Sequence, residues 1–244
     1  WCVQGGALRL IEADGRLRAD QRPAADYDQL LAEAEEPWSL MTFPYVRALG
    51  YPQGLYRVGP LARLNVCERI ASPWASRELS EYRQRHGRIA HNVFASHQAR
   101  LVEIVACLEA LEQLLEDPKL LDPLVRHRAS LNRLEAVGMG EAPRGTLFHH
   151  YRVDADGLLE HVNLLVATGQ NNLAMNRTIT ALARHHLDGL GEAVIPEPLL
   201  NRIEAGIRAF DPCLSCATHA AGQMALLVQL FAADGTLLAE RRRG

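Results

Sequence analysis

The chain has 244 residues, of which 48% are hydrophobic and 23% are charged, and its formal net charge is −3. These values fit a soluble globular protein and give no reason to expect nucleic acid or an acidic membrane surface as a partner. The apolar run at 224–233 is too short to span a bilayer. Five cysteines form an odd, sparse set, so we expect no disulfide framework and a reducing compartment.

Asp-Gly pairs mark three turns, at 14–15, 156–157 and 234–235. Glycine supplies the positive φ that a tight turn requires. The stretches LRLIEADGRLRAD and LLVQLFAADGTLLAE surround the first and third pairs, and we predict a β-hairpin at each.

The segment GYPQGLYRVGPLARLN, Gly50 to Asn65, contains three glycines, two prolines and two arginines without clean periodicity. This composition is typical of an ordered loop. Loops that a scaffold holds in place often carry function, although a plain connector fits the composition equally well.

The middle of the chain is predicted to be helical. Apolar residues at helical spacing between Val93 and Leu115 predict one long helix with a single buried stripe, which Asp117-Pro118 ends. Cys107 within it is expected to be a core thiol. The expected stripe consists of Leu101, Ile104, Val105, Leu108, Leu111 and Leu115.

Two further helices are predicted, at 173–187 and from Pro198 onward. The second of them leads directly to Asp211. The fold class is therefore α+β, predominantly helical with small β-hairpins, and residues 1–244 are expected to form part of one large domain.

The stretch DPCLSC places Cys213 and Cys216 three residues apart, and His219 follows. Two thiolates at this spacing can grip one soft metal ion, because the intervening turn lets both sulfurs point the same way. The spacing alone leaves a redox dithiol, half of a zinc site or two unrelated cysteines open.

The stretch EAPRGTLFHHY places Arg144 between Pro143 and Gly145. Proline fixes the backbone and glycine allows close approach, so the guanidinium can be held in one direction, as for a bound anion or polar ligand. A surface arginine in a turn is the simpler interpretation. His149 and His150 are adjacent in a predicted strand, so at most one of them can face a given site.

The stretch NLLVATGQNN ends an apolar run in polar residues. Thr168 and nearby backbone N–H groups can hydrogen-bond a small acceptor there. A strand that ends in a helix cap explains the same pattern.

Together these stretches resemble the carboxy-terminal half of a nickel–iron hydrogenase large subunit, and the resemblance covers nearly the whole chain. DPCLSCATH resembles the family's terminal DPCxxC motif, EAPRG its active-site arginine loop, and VATGQNN the segment lining the iron. ATGQNN, GLYRVGPLARLN and SCATHA are most similar to the cytoplasmic, bidirectional, NAD-reducing branch.

The resemblance implies a nickel–iron centre with CO and cyanide ligands. Cys213 would be the terminal nickel ligand and Cys216 the bridging one, while Asp211 would fix Arg144 beside the metals. His219 would ligate a magnesium ion at the mature carboxy terminus. Pro143, Ala167 and Thr168 would lie near the cyanides.

The resemblance also implies partners and processing. It implies an iron–sulfur small subunit, diaphorase subunits that bind flavin and NAD, nickel-insertion proteins and a maturation endopeptidase. The endopeptidase would cut after His219 and release 220–244 as a carboxy-terminal extension. The family's amino-terminal RxCGxC motif does not occur in these 244 residues, so the first cysteine pair is expected to lie outside this sequence and the fragment alone to be inactive.

Two other functions compete with a hydrogenase role. A zinc-binding module would use Cys213, Cys216 and His219 and would need no role for Arg144. A non-catalytic, quinone-binding relative from respiratory complex I would share the fold but lack the nickel cysteines.

Overall fold

The computed structural model describes residues 7–126, 132–187, 197–217, 226–232 and 234–243. The helices, numbered in chain order, are α1 (Tyr27–Leu30), α2 (Pro60–Val66), α3 (Pro73–His86), α4 (Ala95–Leu115), α5 (Ala167–Gln170), α6 (Asn172–Leu187), α7 (Glu197–Arg208) and α8 (Leu214–Ala217). The strands are β1 (Ala7–Ile11), β2 (Leu17–Pro23), β3 (Leu31–Ala34), β4 (Phe43–Val46), β5 (Glu135–Ala142), β6 (Gly145–Val153), β7 (Leu159–Leu165), β8 (Leu226–Phe231) and β9 (Leu237–Arg243). None of the helices in these ranges is both long and apolar enough to cross a membrane.

All strand pairs are antiparallel, and the described sheets are small. β1 pairs with β2, β3 with β4, and β8 with β9, while β5, β6 and β7 form a three-stranded sheet. Gly15 and Gly235 have φ of +87° and +85°, which confirms both predicted hairpins at their Asp-Gly turns. Gly157, with φ of +82°, turns β6 into β7. The predicted α+β class, predominantly helical with small hairpins, is confirmed.

Small side chains let α3 and α4 approach each other closely. Ala75 and Ala99 are both 0% exposed, and Tyr82 and Val102 are buried beside them. Leu61 and Leu64 of α2 complete this core. A second core lies between the sheets around Tyr27 and Phe148, whose rings stack with centroids 5.2 Å apart.

The predicted helix is present as α4, but the prediction of its buried face was wrong. The face packed on α2 and α3 carries the alanines and Val102, because close packing excludes larger side chains. The leucines point outward, and Cys107 is exposed rather than a core thiol. We call these outward residues the α4 ridge; they are between 51% and 62% exposed and comprise Leu101, Ile104, Leu108, Leu111 and Leu115.

A third core places the end of α7 against α6. Ala209 and Phe210 are buried there with Val93, Ala174 and Met175. Both predicted helices in this region are confirmed, with starts at Asn172 and Glu197. This packing fixes the backbone immediately before Asp211.

The segment 50–65 was predicted to be a loop, and its second half is instead helix α2. Gly59 precedes the helix with φ of +100°, and Pro60 occupies the first turn, where its missing N–H costs no hydrogen bond. The glycine and proline that suggested a loop therefore mark the start of a helix.

Candidate metal centre

Cys213 and Cys216 lie on one short turn. Their Cα atoms are 5.4 Å apart, and the backbone N–H of Cys216 donates to the carbonyl of Cys213 at 3.2 Å. The turn brings both sulfurs to one point, as the spacing predicts. The two sulfurs are joined as a disulfide, which links near neighbours and no distant segments. Metal binding needs the reduced pair, because the thiolate is the ligand.

The backbone at Asp211 is held from both sides. Asp211 has φ of +50°, a conformation that aspartate tolerates better than most residues. Arg100 donates from Nη2 to the carbonyl of Ala209 at 2.8 Å, and the Arg57 guanidinium lies 5.7 Å from the centre of the Phe210 ring. The chain therefore enters the cysteine turn from a fixed position.

Arg144 reaches this point from the turn between β5 and β6. Its Nε donates to the backbone carbonyl of Asp211 at 2.8 Å and lies 3.3 Å from Oδ2 of the same residue. Its Nη2 is 3.5 Å from Oδ1. The two side chains are 41% and 46% exposed, so their ion pair adds little stability, and its main effect is to direct the guanidinium.

The third motif contacts Cys213 directly. Ala167 and Thr168 open α5, and both are 4% exposed. The backbone N–H of Cys213 donates to Oγ1 of Thr168 at 3.1 Å. Sequence analysis predicted a hydrogen-bonding role for this hydroxyl; the partner it has here is the cysteine backbone.

The adjacent histidines of β6 diverge, as predicted for a strand. His149 Nδ1 lies 2.9 Å from the Tyr151 hydroxyl, and His150 Nδ1 lies 3.0 Å from the Tyr27 hydroxyl. His219 lies outside the described residues. Within the described ranges, no three His, Cys, Asp or Glu side chains are grouped closely enough to hold a metal ion.

These residues form half of a metal centre. Two converging sulfurs are the soft donors that suit nickel, and a cationic side chain stands on the segment that carries them. The donor set of the described residues fits such a metal but needs further ligands to complete its coordination.

Sequence reasoning missed the residues that lock the motifs together. The Asn171 side chain accepts from the N–H of Val58 at 3.0 Å and donates to its carbonyl at 3.2 Å. Gln170 donates to the carbonyl of Thr146 at 2.6 Å and accepts from the Tyr56 hydroxyl at 3.1 Å. Buried amides next to a functional motif are a usable signal, because buried polar groups are paired in folded proteins.

A further missed residue is Arg63 of α2. It lies beneath the loop that carries Arg144 and donates to the carbonyls of Ala142 and Pro143. The only sequence signal for it is an arginine between leucines in a segment without clear periodicity, which gives no reason to expect a buried cation.

The family model for nickel-dependent hydrogenases matches residues 19–219. NAD-reducing hydrogenase HoxS subunit beta of Cupriavidus necator is 45% identical over 241 residues, which is 98% of this chain and 49% of that protein. The F420-non-reducing hydrogenase of Methanothermobacter thermautotrophicus contains one chain that is 40% identical over 98% of this chain and 50% of its own length.

A solved structure of an NAD+-reducing NiFe hydrogenase in the H2-reduced state matches with a TM-score of 0.81. It is 45% identical, and the match covers 87% of this chain and 47% of that one. The chain thus spans about half the length of the curated relatives it matches. With the three motifs joined at one point and this degree of identity, the chain belongs to the nickel-dependent hydrogenase family.

Proposed function

We propose that this chain is part of the catalytic large subunit of a nickel–iron hydrogenase of the NAD-reducing type. The reaction is the reversible oxidation of dihydrogen to protons and electrons. The observation that carries this proposal is the meeting of Arg144, Thr168 and Cys213 at Asp211. Identity of 45% to the HoxS beta subunit supports the NAD-reducing type.

The reduced cysteine pair would hold the nickel–iron centre, with Cys213 terminal and Cys216 bridging. The buried surface of Pro143, Ala167 and Thr168 would surround its CO and cyanide ligands, and His219 would ligate magnesium. When bound, the centre supplies a Lewis acid that polarises dihydrogen, a molecule with no group that a side chain can grip.

The chain's own residues bind, orient and accept a proton. Sγ of Cys213 is the proton acceptor we favour, because a guanidinium stays protonated in proteins and is a poor base. Arg144, directed by the Asp211 carbonyl, places a fixed positive charge and hydrogen-bond donors at the open side of the site. Preorganised donors of this kind act most strongly where water is excluded.

The electrons would leave through an iron–sulfur small subunit, since the five cysteines of this chain are too few for both centres. Diaphorase subunits with flavin and NAD would receive them, in the cytoplasm. Nickel-insertion proteins and a maturation endopeptidase would act before catalysis. The family match ends at residue 219, which supports a cut between His219 and Ala220 and removal of 220–244.

The competing functions have less support. A zinc-binding module leaves the contact between Arg144 and Asp211 without a purpose, and a quinone-binding relative leaves Cys213 and Cys216 without one. The family match and the identity to hydrogenase subunits favour the metal-dependent enzyme.

The test compares two cysteine variants in the assembled enzyme, purified without oxygen. Cys216→Ser is expected to abolish stoichiometric nickel and hydrogen-dependent NAD reduction. Cys107→Ser changes an exposed cysteine on α4 and is expected to retain both. Normal nickel content in Cys216→Ser, or zinc in place of nickel in the unaltered enzyme, would refute the proposal.

A further inference from the structure

Arg63 is a buried cation whose N–H groups are all used. Its side chain is 8% exposed and forms a two-bond pair with Glu103 of α4, with both distances 2.7 Å. Nη1 also donates to Glu141 at 2.8 Å. Arginine has five N–H donors, and the remaining two go to backbone carbonyls.

Those carbonyls belong to the loop that carries Arg144. Arg63 donates to Ala142 O through Nη1 and to Pro143 O through Nη2, each at 2.9 Å. A guanidinium is flat and rigid, so two bonds to successive carbonyls fix the orientation of the peptide planes leading into Arg144. Glu141 is itself held by the hydroxyl of Thr146 across the turn.

The opposite side of the loop is held by glycine contacts. A Cβ placed on Gly59 would lie 2.7 Å from the carbonyl oxygen of Arg144. A Cβ placed on Gly145 would lie 2.5 Å from Cγ2 of Val58. The start of α2 therefore lies against the loop from one side while Arg63, one turn later, holds it from beneath.

Charge alone does not explain this arrangement. Burial lowers the pKa of Arg63, but its hydrogen bonds and charge interactions with Glu103 and Glu141 outweigh that effect and raise the pKa, so Arg63 stays charged. Neutralising two carboxylates would not require donors aimed at two loop carbonyls. The carbonyl bonds are the part of the geometry that acts on Arg144.

We propose that Arg63 is a positioning residue that sets the direction of the Arg144 guanidinium through the backbone of the loop. This rests on the proposed function, since Arg144 is the group that faces the metal centre there. Arg63 acts through another residue and is not itself a catalytic residue.

The test is a double-mutant cycle in the assembled enzyme, with Arg63→Lys, Arg144→Lys and the pair. Lysine keeps the charge but has three donors, so it cannot hold both carboxylates and both carbonyls. Arg63→Lys is expected to retain nickel, lose about 10²-fold in kcat and shift the infrared bands of the CO and cyanide ligands. In the Arg144→Lys background the same change is expected to cost less than about 2-fold, because its route of action is gone. Equal losses in both backgrounds, or unchanged infrared bands, would overturn the proposal.

A matched control and a metal-free readout complete the design. Arg83→Lys alters an arginine of α3 that also donates to two carbonyls, those of Cys67 and Glu68, and it is expected to leave kcat unchanged. In metal-free protein, Arg63→Lys is expected to speed amide hydrogen exchange at Gly145 and Thr146 and to change the rate at which phenylglyoxal modifies Arg144. Unchanged rates refute positioning even if the enzyme proves not to be a hydrogenase.

Where Arg63→Lys does not fold, Glu103→Gln loosens Arg63 from α4 without touching the loop. It is expected to produce the same changes in exchange and in the infrared bands, to a smaller extent, and again only while Arg144 is present. Wild-type behaviour of Glu103→Gln in both backgrounds would overturn the proposal.

Discussion

Arg144 and Asp211 are 67 residues apart in the sequence, yet Nε of the first donates to the backbone carbonyl of the second at 2.8 Å. The carboxylate of Asp211 lies farther away, at 3.3 Å or more. The arginine is therefore directed first by the backbone of the segment that carries the cysteines. Any movement of that segment carries the guanidinium with it.

Arg144→Lys is expected to retain nickel but lose about 10²-fold or more in hydrogen oxidation. A lysine can reach the carbonyl, but a point charge does not reproduce the planar set of donors. Nickel content and kcat in the assembled enzyme measure the two effects. Hydrogen oxidation at the normal rate would show that the guanidinium has no such role.

Thr168→Val is expected to lower the free energy of unfolding by about 1–3 kcal/mol, because the N–H of Cys213 loses its partner in a buried setting. Thr168→Ser keeps the hydroxyl and serves as the control. Denaturant unfolding of metal-free protein measures the change. Equal stability of the valine and serine variants would indicate that the hydrogen bond does not hold the cysteine turn.

Gly59→Ala is expected to destabilise the chain and displace Arg144. The backbone φ of +100° costs an alanine about 1–3 kcal/mol, and its Cβ would also meet the Arg144 carbonyl. Gly50→Ala is the matched control, since Gly50 has φ of +72° and nothing within 4 Å of an added Cβ. Thermal unfolding of both variants separates strain from contact. Loss of kcat in the second variant alone would contradict the assignment.

Tyr82→Phe is expected to stabilise the protein by about 1 kcal/mol. The Tyr82 hydroxyl is buried without a hydrogen-bond partner among the described residues, and such a group costs about 1–3 kcal/mol. Denaturant unfolding near neutral pH measures the gain. A loss of stability would mean that the hydroxyl has a partner after all.

The same tyrosine gives a pH dependence. Burial raises the pKa of Tyr82 from 10.0 to about 12, so the unfolded chain releases this proton first as the pH rises. Its contribution to stability is complete below about pH 10 and is lost as the pH approaches about 12. The unfolding free energy of Tyr82→Phe is therefore expected to fall less steeply across this window.

Local signals predicted much of the secondary structure. Asp-Gly turns and helical spacing are properties of neighbouring residues, and both predicted hairpins and three helices are present. The buried face of α4 could not be predicted in this way. Both of its faces are apolar, and only the packing partner decides that Ala99 is covered while Leu108 is exposed.

The candidate site followed from the order of its motifs, but its geometry did not. The carbonyl contact from Arg63 to Pro143 spans 80 residues, and no pattern near either residue indicates it. Non-local contacts of this kind depend on how β5, α2 and α4 pack. Sequence reasoning identified the residues that face the metal and missed the residues that hold them.

The α4 ridge predicts how the isolated chain behaves. An exposed row of leucines this long favours association, so the 244-residue polypeptide is expected to self-associate with rising concentration. Leu108→Lys should weaken this, and Leu17→Lys, which changes an equally exposed residue of β2, should not. Sedimentation velocity measures both. A monomer at every concentration would contradict the prediction.

The spacing of the ridge also constrains its neighbour. Leu101, Ile104, Leu108, Leu111 and Leu115 alternate steps of three and four, the heptad pattern that receives knobs from another helix crossing at about 20°. Glu103, which grips Arg63, lies on the same rigid rod. A helix that seats itself in this seam and rolls α4 about its axis would therefore turn a lever whose far end is the guanidinium at the metal.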